Sequence, residues 1–204
     1  AMMVATQSLE DTLRGWGFKN PIHRLIRGAN LDVFHPGEKT LFKDLKPPIA
    51  LYVGRIAIEK SVEDFLDMPW DGTKVIVGDG PDRAELERKY PAARFVGKKT
   101  GADLAAHYRS ADLFVFPSRT DTFGIVLVEA LASGLPVAAY NVTGPKDIIT
   151  ADFLGALDET NLKAAADKAL SSGTPEQRSR HVKDHYTWKN ASRQYEDALI
   201  NKVK

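Results

Sequence analysis

Six short apolar runs punctuate the middle of the chain, most of them bounded by glycine or proline. They are Ile49–Gly54, Thr73–Gly78, Ala93–Gly97, Asp112–Pro117, Pro136–Tyr140 and a weaker one at Phe153–Leu157. Continuous runs of Val, Ile, Phe and Leu, rather than alternating ones, predict parallel strands covered on both faces. Between them the period changes to that of helices: Ser61–Met68, Asp82–Lys89, Ala102–Arg109, Phe123–Ser133 and Asn161–Ser171. Pro81 directly before the second of these suits the first turn of a helix. Strand and helix alternate throughout, so the predicted fold is α/β, a Rossmann-like doubly wound parallel sheet of about six strands.

The ends break this alternation. Val4–Thr6 reads as a lone strand. Ser8–Trp16 reads as a helix with Ser8 as N-cap and Asp11 three residues on, a weak capping box. The stretch from Asp32 to Pro48 is loop-rich and holds three prolines. Pro175–His185 and Trp188–Lys202 read as helices of mixed charge, the second with Trp188, Tyr195, Ala198 and Leu199 as an apolar stripe.

Composition narrows the classes. The chain has 204 residues, enough for one ordinary domain with a full core. It is 43% hydrophobic and 27% charged, which fits a globular protein rather than a disordered one. A formal net charge of +1 implies no bulk polyanion, so nucleic acid is not an expected partner. The absence of cysteine removes disulfide frameworks and Cys-based metal sites and permits a reducing compartment. No apolar stretch approaches the roughly 20 residues of a membrane span. Met2-Met3-Val4-Ala5 is too short for the core of a signal peptide. Ala1-Met2 reads as a cloning scar, and the chain as a fragment.

The candidate chemistry lies between Ser118 and Val137. Asp121 sits in a polar turn ending at Gly124, and Glu129 stands alone in an apolar run eight positions later. A buried, unpaired carboxylate costs several kcal/mol, so a cation or a hydroxyl-rich ligand is expected to hold Glu129. In a doubly wound sheet of order 3-2-1-4-5-6, ligands bind beyond the strand ends between the first and fourth strands. That places Arg55 and Lys60 opposite the Asp121–Gly124 turn. A helix starting near Phe123 would aim free N–H groups and its positive end into the same crevice, a diphosphate site. Simpler readings stand beside these: Arg55 and Lys60 in a solvated loop, Glu129 paired to a buried Arg such as Arg55, Asp121 capping the helix. Gly78-Asp79-Gly80-Pro81 looks more like a turn than a phosphate loop, because Pro81 removes a donor. Asn141–Pro145 reads as a plain βα loop that could also offer backbone donors. His181 and His185 have a metal-ligand spacing but no third ligand, so a solvated face is expected. No G-x-G-x-x-G, Walker A or G-x-S-x-G pattern is present.

The spacing Asp121-x7-Glu129, followed by Ala130-Leu131-Ala132-Ser133-Gly134-Leu135-Pro136-Val137, resembles the E-x7-E signature of the retaining glycosyltransferases of family 4, which have the GT-B fold. Tyr52-Val53-Gly54-Arg55 with Glu59-Lys60, Val77-Gly78-Asp79-Gly80-Pro81, Phe95-Val96-Gly97 and Ala111–Ser118 follow in the family's order, and Arg27–Pro36 resembles the segment entering its C-terminal domain. The resemblance covers roughly residues 22 to 200 and implies the C-terminal, donor-binding half of a GT-B enzyme. Residues 1–35 would be the end of the N-terminal domain and the interdomain segment, 36–186 the nucleotide-sugar domain, and 187–204 a helix returning towards the other half. Arg55 and Lys60 would bind the diphosphate, and Asp121 would face the transferred sugar. Gly124 and Ile125 would offer amides, Glu129 would take the ribose hydroxyls, and Val96 and Gly97 would meet the base. Gly54, Thr122 and Phe123 complete the implied donor site.

The implied substrate is a UDP- or GDP-linked sugar, with no metal or other cofactor, and the acceptor is a lipid or glycan. The implied partner is the missing acceptor domain, without which turnover is weak. The implied location is cytoplasmic, with peripheral attachment at the inner face of a membrane. Asp121 departs from the usual Glu; its side chain is about 1.5 Å shorter, one C–C bond, which bears on sugar identity. A non-catalytic nucleotide-sugar-binding module and a GT-B-like UDP-sugar epimerase stay open as alternatives.

Overall fold

A computed structural model describes residues 1–200; the predicted end of the last helix, from 201 onward, lies outside them. Two units follow one another. The first is small: β1 (Met2–Val4), α1 (Gln7–Gly15) and β2 (Ile22–Arg24), with β1 and β2 paired in parallel. The second alternates β3 (Ile49–Val53), α2 (Val62–Asp67), β4 (Thr73–Val77), α3 (Arg83–Lys89), β5 (Arg94–Gly97), α4 (Gly101–Ser110) and β6 (Leu113–Phe116). It continues with α5 (Ile125–Ala132), β7 (Val137–Tyr140), α6 (Pro145–Ile148), β8 (Gly155–Asp158) and α7 (Leu162–Leu170), and ends in α8 (Pro175–His185) and α9 (Trp188–Ile200).

The six strands β3–β8 form one sheet in the order β5-β4-β3-β6-β7-β8, every pair parallel. This is the order 3-2-1-4-5-6 expected from the sequence. Each face of the sheet carries its own core. Leu51, Val53, Phe114, Phe116 and Val137 point to one side, against Leu127, Leu131 and Ile148. Ala50, Tyr52, Ile76, Leu113 and Val115 point to the other, against Phe65, Leu66 and Ala166. Burial on both faces is why these strands read as unbroken apolar runs.

Several boundaries differ from expectation, each for a local reason. Thr6, not Ser8, caps α1: Thr6 is extended, and its Oγ1 accepts from Leu9 N at 3.3 Å. Ser8 is instead drawn inward, its N and Oγ both donating to Asp147 Oδ1 at 2.9 and 3.0 Å. The lone strand at 4–6 is Met2–Val4, and the strand it pairs with, Ile22–Arg24, has only three residues and no pattern of its own. The Phe153–Leu157 run splits into a 3-10 turn at Asp152–Leu154 and β8, because Gly155 lies so close to Val137 that a Cβ would sit 2.0 Å from its carbonyl oxygen. His181 and His185 are not simply solvated: their rings stack 4.3 Å apart, with His181 half-buried against Phe153. Burial and the neighbouring His185 push the His181 pKa down.

Chain entry and exit meet at one point. Ala29 bridges to Thr187, and Ala29 N donates to Tyr186 O at 3.0 Å. Gly28 makes this crossing possible, since a Cβ there would stand 2.2 Å from Trp188 N. Gly28→Ala is therefore expected to cost about 2 kcal/mol by overpacking against backbone, lowering Tm by roughly 4–8 °C. A thermal melt within 1 °C of the wild type, on the order of measurement error on that scale, would contradict the tight crossing.

Candidate functional site

The strand order reverses between β3 and β6, and the loops leaving these strands face each other. From the β3 side, a 3-10 turn at Ile58–Lys60 followed by Ser61 in the left-handed region (φ 48°) presents Lys60. From the β6 side comes Asp121. Lys60 Nζ donates to both Asp121 oxygens at 2.9 Å, with the two side chains 26% and 22% exposed. Thr120 Oγ1 adds a bond to Glu59 O at 3.2 Å. The loop is also held from behind: the Arg119 guanidinium lies 3.5 Å over the Tyr140 ring, whose hydroxyl donates to Asp64 Oδ2 at 2.8 Å. Asp121 thus serves the lysine and does not cap the helix. The cap position is Gly124, held at φ +80° with no side-chain cap, so α5 opens with its first amides free of side-chain acceptors.

Glu129 lies in the second turn of α5, half-buried. The expected alternative partner, Arg55, does not reach it. Arg55 is exposed and sits 3.5 Å from Glu59. The partner is Tyr108 on α4, whose hydroxyl donates to Glu129 Oε2 at 3.1 Å. Burial raises the Glu129 pKa, and the hydrogen bond from Tyr108 opposes that rise. Tyr108 escaped the sequence reading. Its signal was a hydroxyl-bearing aromatic on the inward face of a helix, three residues after buried Ala105, where a buried phenol needs an acceptor.

Beside the ion pair, Val53, Gly54, Arg55, Gly78, Asp79, Gly80, Lys98 and Lys99 surround a cavity of about 530 Å³. So Arg55 lines the side towards β4 and β5, while Lys60 alone faces the Asp121 turn. The Gly78–Gly80 turn forms a wall here, and its glycines allow the main chains of 54–56 and 78–80 to converge. A Cβ on Gly78 would lie 1.8 Å from Gly54 O, and one on Gly80 2.1 Å from Ile56 O. Val96 is half-buried, and Gly97 has φ +75°. Phe123 is buried in the core with its ring 6.2 Å from that of Tyr186, so only its backbone can face a ligand. Thr122 is exposed, its carbonyl accepting from Thr6 Oγ1 at 3.3 Å; Ile125 is half-buried. The Asn141–Pro145 loop packs behind this turn, and a Cβ on Gly144 would meet Asp121 O at 2.7 Å.

A second cavity of about 540 Å³, away from the switch point, is apolar and lies between the β1–β2 unit and α9. Trp188, Tyr195 and Leu199 of the predicted stripe stay exposed, while Ala191 and Ala198 are buried. Among the described residues no group of His, Cys, Asp and Glu is placed to hold a metal, and no helix is long and apolar enough to cross a membrane.

This architecture matches that of GT-B glycosyltransferases. The chain matches the family described as "Glycosyl transferases group 1" over residues 38–188 and belongs to it. A "GDP-mannose-dependent alpha-mannosyltransferase" of Mycobacterium tuberculosis is 42% identical over 143 residues, 67% of this chain and 38% of that protein. The "Sulfoquinovosyl transferase SQD2" of Arabidopsis thaliana is 40% identical over 113 residues, covering 53% and 22%. Among solved structures, the sucrose-phosphate synthase of Thermosynechococcus elongatus superposes with a TM-score of 0.83 at 26% identity, over 98% of this chain and 58% of that one. Anabaena Alr3699/HepE in complex with UDP superposes with a TM-score of 0.81 at 15% identity, over 98% and 63%. The chain spans 36% to 38% of the length of three mannosyltransferase relatives.

The Glu129 environment yields a signed expectation. A carboxyl group with a raised folded-state pKa costs stability above that pKa and costs nothing below its unfolded value, where both states are protonated. Glu129→Gln removes the charge and keeps a carbonyl for Tyr108. Its Tm gain over wild type should be larger at pH 8 than near pH 4, which lies below the ordinary Glu value of about 4.3. Melts at both pH values check this, and an equal gain at both would contradict the burial of the ionised group.

Proposed function

We propose that this chain is the donor-binding half of a retaining glycosyltransferase that takes its sugar from a nucleotide diphosphate sugar, GDP-mannose being the favoured donor. The observation that supports the reading is the Lys60–Asp121 pair at the switch point, where α5 opens with no side-chain cap and carries Glu129 in its second turn. The family membership and the printed names of the mannosyltransferase relatives support it. Retention is supported by the word "alpha" in those names, since GDP-mannose itself carries an α-linked sugar.

In this reading the diphosphate lies at the start of α5. The amides of Gly124 and Ile125, the helix dipole and Lys60 stabilise the negative charge that develops on the departing phosphate. Arg55 approaches the same diphosphate from the β4 side. Asp121 faces the sugar ring, with its position set by Lys60. Glu129 accepts the ribose hydroxyls. The base lies towards Val96 and Gly97, and Gly54, Thr122 and Phe123 line the donor through their backbones. Cationic side chains and a helix terminus do the electrostatic work here without a resident metal. The acceptor, a lipid or glycan, binds on a preceding domain, and the apolar groove with Trp188 and Tyr195 is where that domain rests.

Calorimetric titration of GDP, GDP-mannose and UDP into the 204-residue chain tests the assignment. Glu129→Ala should weaken GDP by roughly 10- to 100-fold, the value of about one charge-assisted hydrogen bond to a ribose hydroxyl. Equal affinity in both proteins would remove Glu129 from the ribose. Repeating the wild-type titration in EDTA should leave the GDP affinity unchanged, and a large loss would point to a required metal.

A further inference from the structure

Tyr108 is a buried polar group that the proposed mechanism leaves unused. It is fully buried, its ring edge-on to Phe34 at 5.8 Å and tilted against Phe114 at 5.7 Å. Both aromatic neighbours belong to the core, so the phenol has little freedom to turn. Its hydroxyl lies 3.1 Å from Glu129 Oε2 and 3.4 Å from Val126 O, one turn earlier on α5. We propose that Tyr108 is a positioning residue that tethers the Glu129 carboxylate, leaving Oε1 and the remaining lone pairs free for ribose hydroxyls. This rests on the reading that Glu129 takes the ribose.

Charged groups on α4, on α8 and in the loops at the switch point have partners of their own. On α4, His107 faces Asp103 O at 2.7 Å, and Arg109 faces Val33 O at 3.3 Å. Beyond β3, Arg55 pairs with Glu59 and Lys60 with Asp121. On α8, Arg178 donates to Phe153 O and Gly134 O. Tyr108 is the group acting on Glu129 besides burial itself. A hydrogen bond donated to a carboxylate favours the ionised form. The tether therefore has two consequences: it orients one oxygen, and it keeps the group ionised at lower pH than its burial alone would allow. A carboxyl group that takes up a proton loses one of its acceptor positions for hydroxyls.

Tyr108→Phe removes the hydroxyl alone and keeps the ring that packs against Phe34. The first readout needs no ligand. Carbon-13 NMR of labelled glutamate carboxyls, with the Glu129 signal identified by its loss in Glu129→Gln, follows its titration in wild type and Tyr108→Phe. The midpoint should move up in the variant, whereas an unchanged midpoint overturns the proposal. The second readout is GDP affinity by calorimetry. Tyr108→Phe should weaken GDP roughly 3- to 10-fold, the loss of one hydrogen bond, and the weakening should grow as pH falls.

In the Glu129→Ala background, Tyr108→Phe should cause no further loss, because the tyrosine then has nothing to hold. Additive losses would mean that it acts on the fold and not through Glu129, and would overturn the proposal. If Glu129→Ala alone binds GDP as wild type does, the ribose assignment fails. The carboxyl titration then decides by itself whether Tyr108 holds Glu129.

Discussion

The reversal of strand order between β3 and β6 is the constraint on which the rest of the crevice depends. Strands on either side of that reversal send their following helices to opposite faces of the sheet, so the loops above it part and leave a cleft. Two loops far apart in sequence, 54–61 and 118–124, become neighbours for this reason alone. The glycines around the cleft follow from the same geometry. Gly54, Gly78 and Gly80 stand where backbone meets backbone, and a Cβ at Gly78 or Gly80 would enter a neighbouring carbonyl. The cavity beside them exists because these main chains can approach so closely.

Within the cleft the charges are arranged against one another before any donor is considered. Lys60 spends two N–H donors on Asp121 and retains one, since an ammonium has three. A diphosphate reaching the start of α5 can engage that third donor without breaking the pair. In the proposed reading the lysine then joins the carboxylate near the sugar to the phosphate that leaves it. Arg119 stacked on Tyr140, with Asp64 behind, keeps the loop that carries Asp121 from drifting away. Glu129 is placed differently: no cation balances it, and a buried phenol supplies its one side-chain hydrogen bond among the described residues.

The sequence made the sheet legible because each strand of the doubly wound layer is buried on both faces and bounded by turn residues. The switch point followed from the strand order, and Lys60 meeting Asp121 followed from the switch point. What escaped was non-local or very short. β2 has three residues and is defined by pairing with β1, whose own alternation is equally brief. Ser8 looked like a cap, but Asp147, 139 positions away, claims it. Arg55 was expected beside Lys60, yet the 3-10 turn between them rotates it towards the β4 side. Tyr108 went unseen as a partner of Glu129 because 21 positions of chain separate the two and only the reach of the Tyr108 side chain from α4 to α5 brings them together.

The central claim is that one ligand lies along the crevice with its ribose at Glu129 and its diphosphate at the start of α5. A crystal structure of the chain with GDP tests it most directly. The account predicts ribose hydroxyls within hydrogen-bond distance of Glu129, with Tyr108 still donating to the other carboxylate oxygen, and phosphate oxygens on the Gly124 and Ile125 amides and on Lys60. A nucleotide seated elsewhere, or a ribose turned away from Glu129, would contradict it.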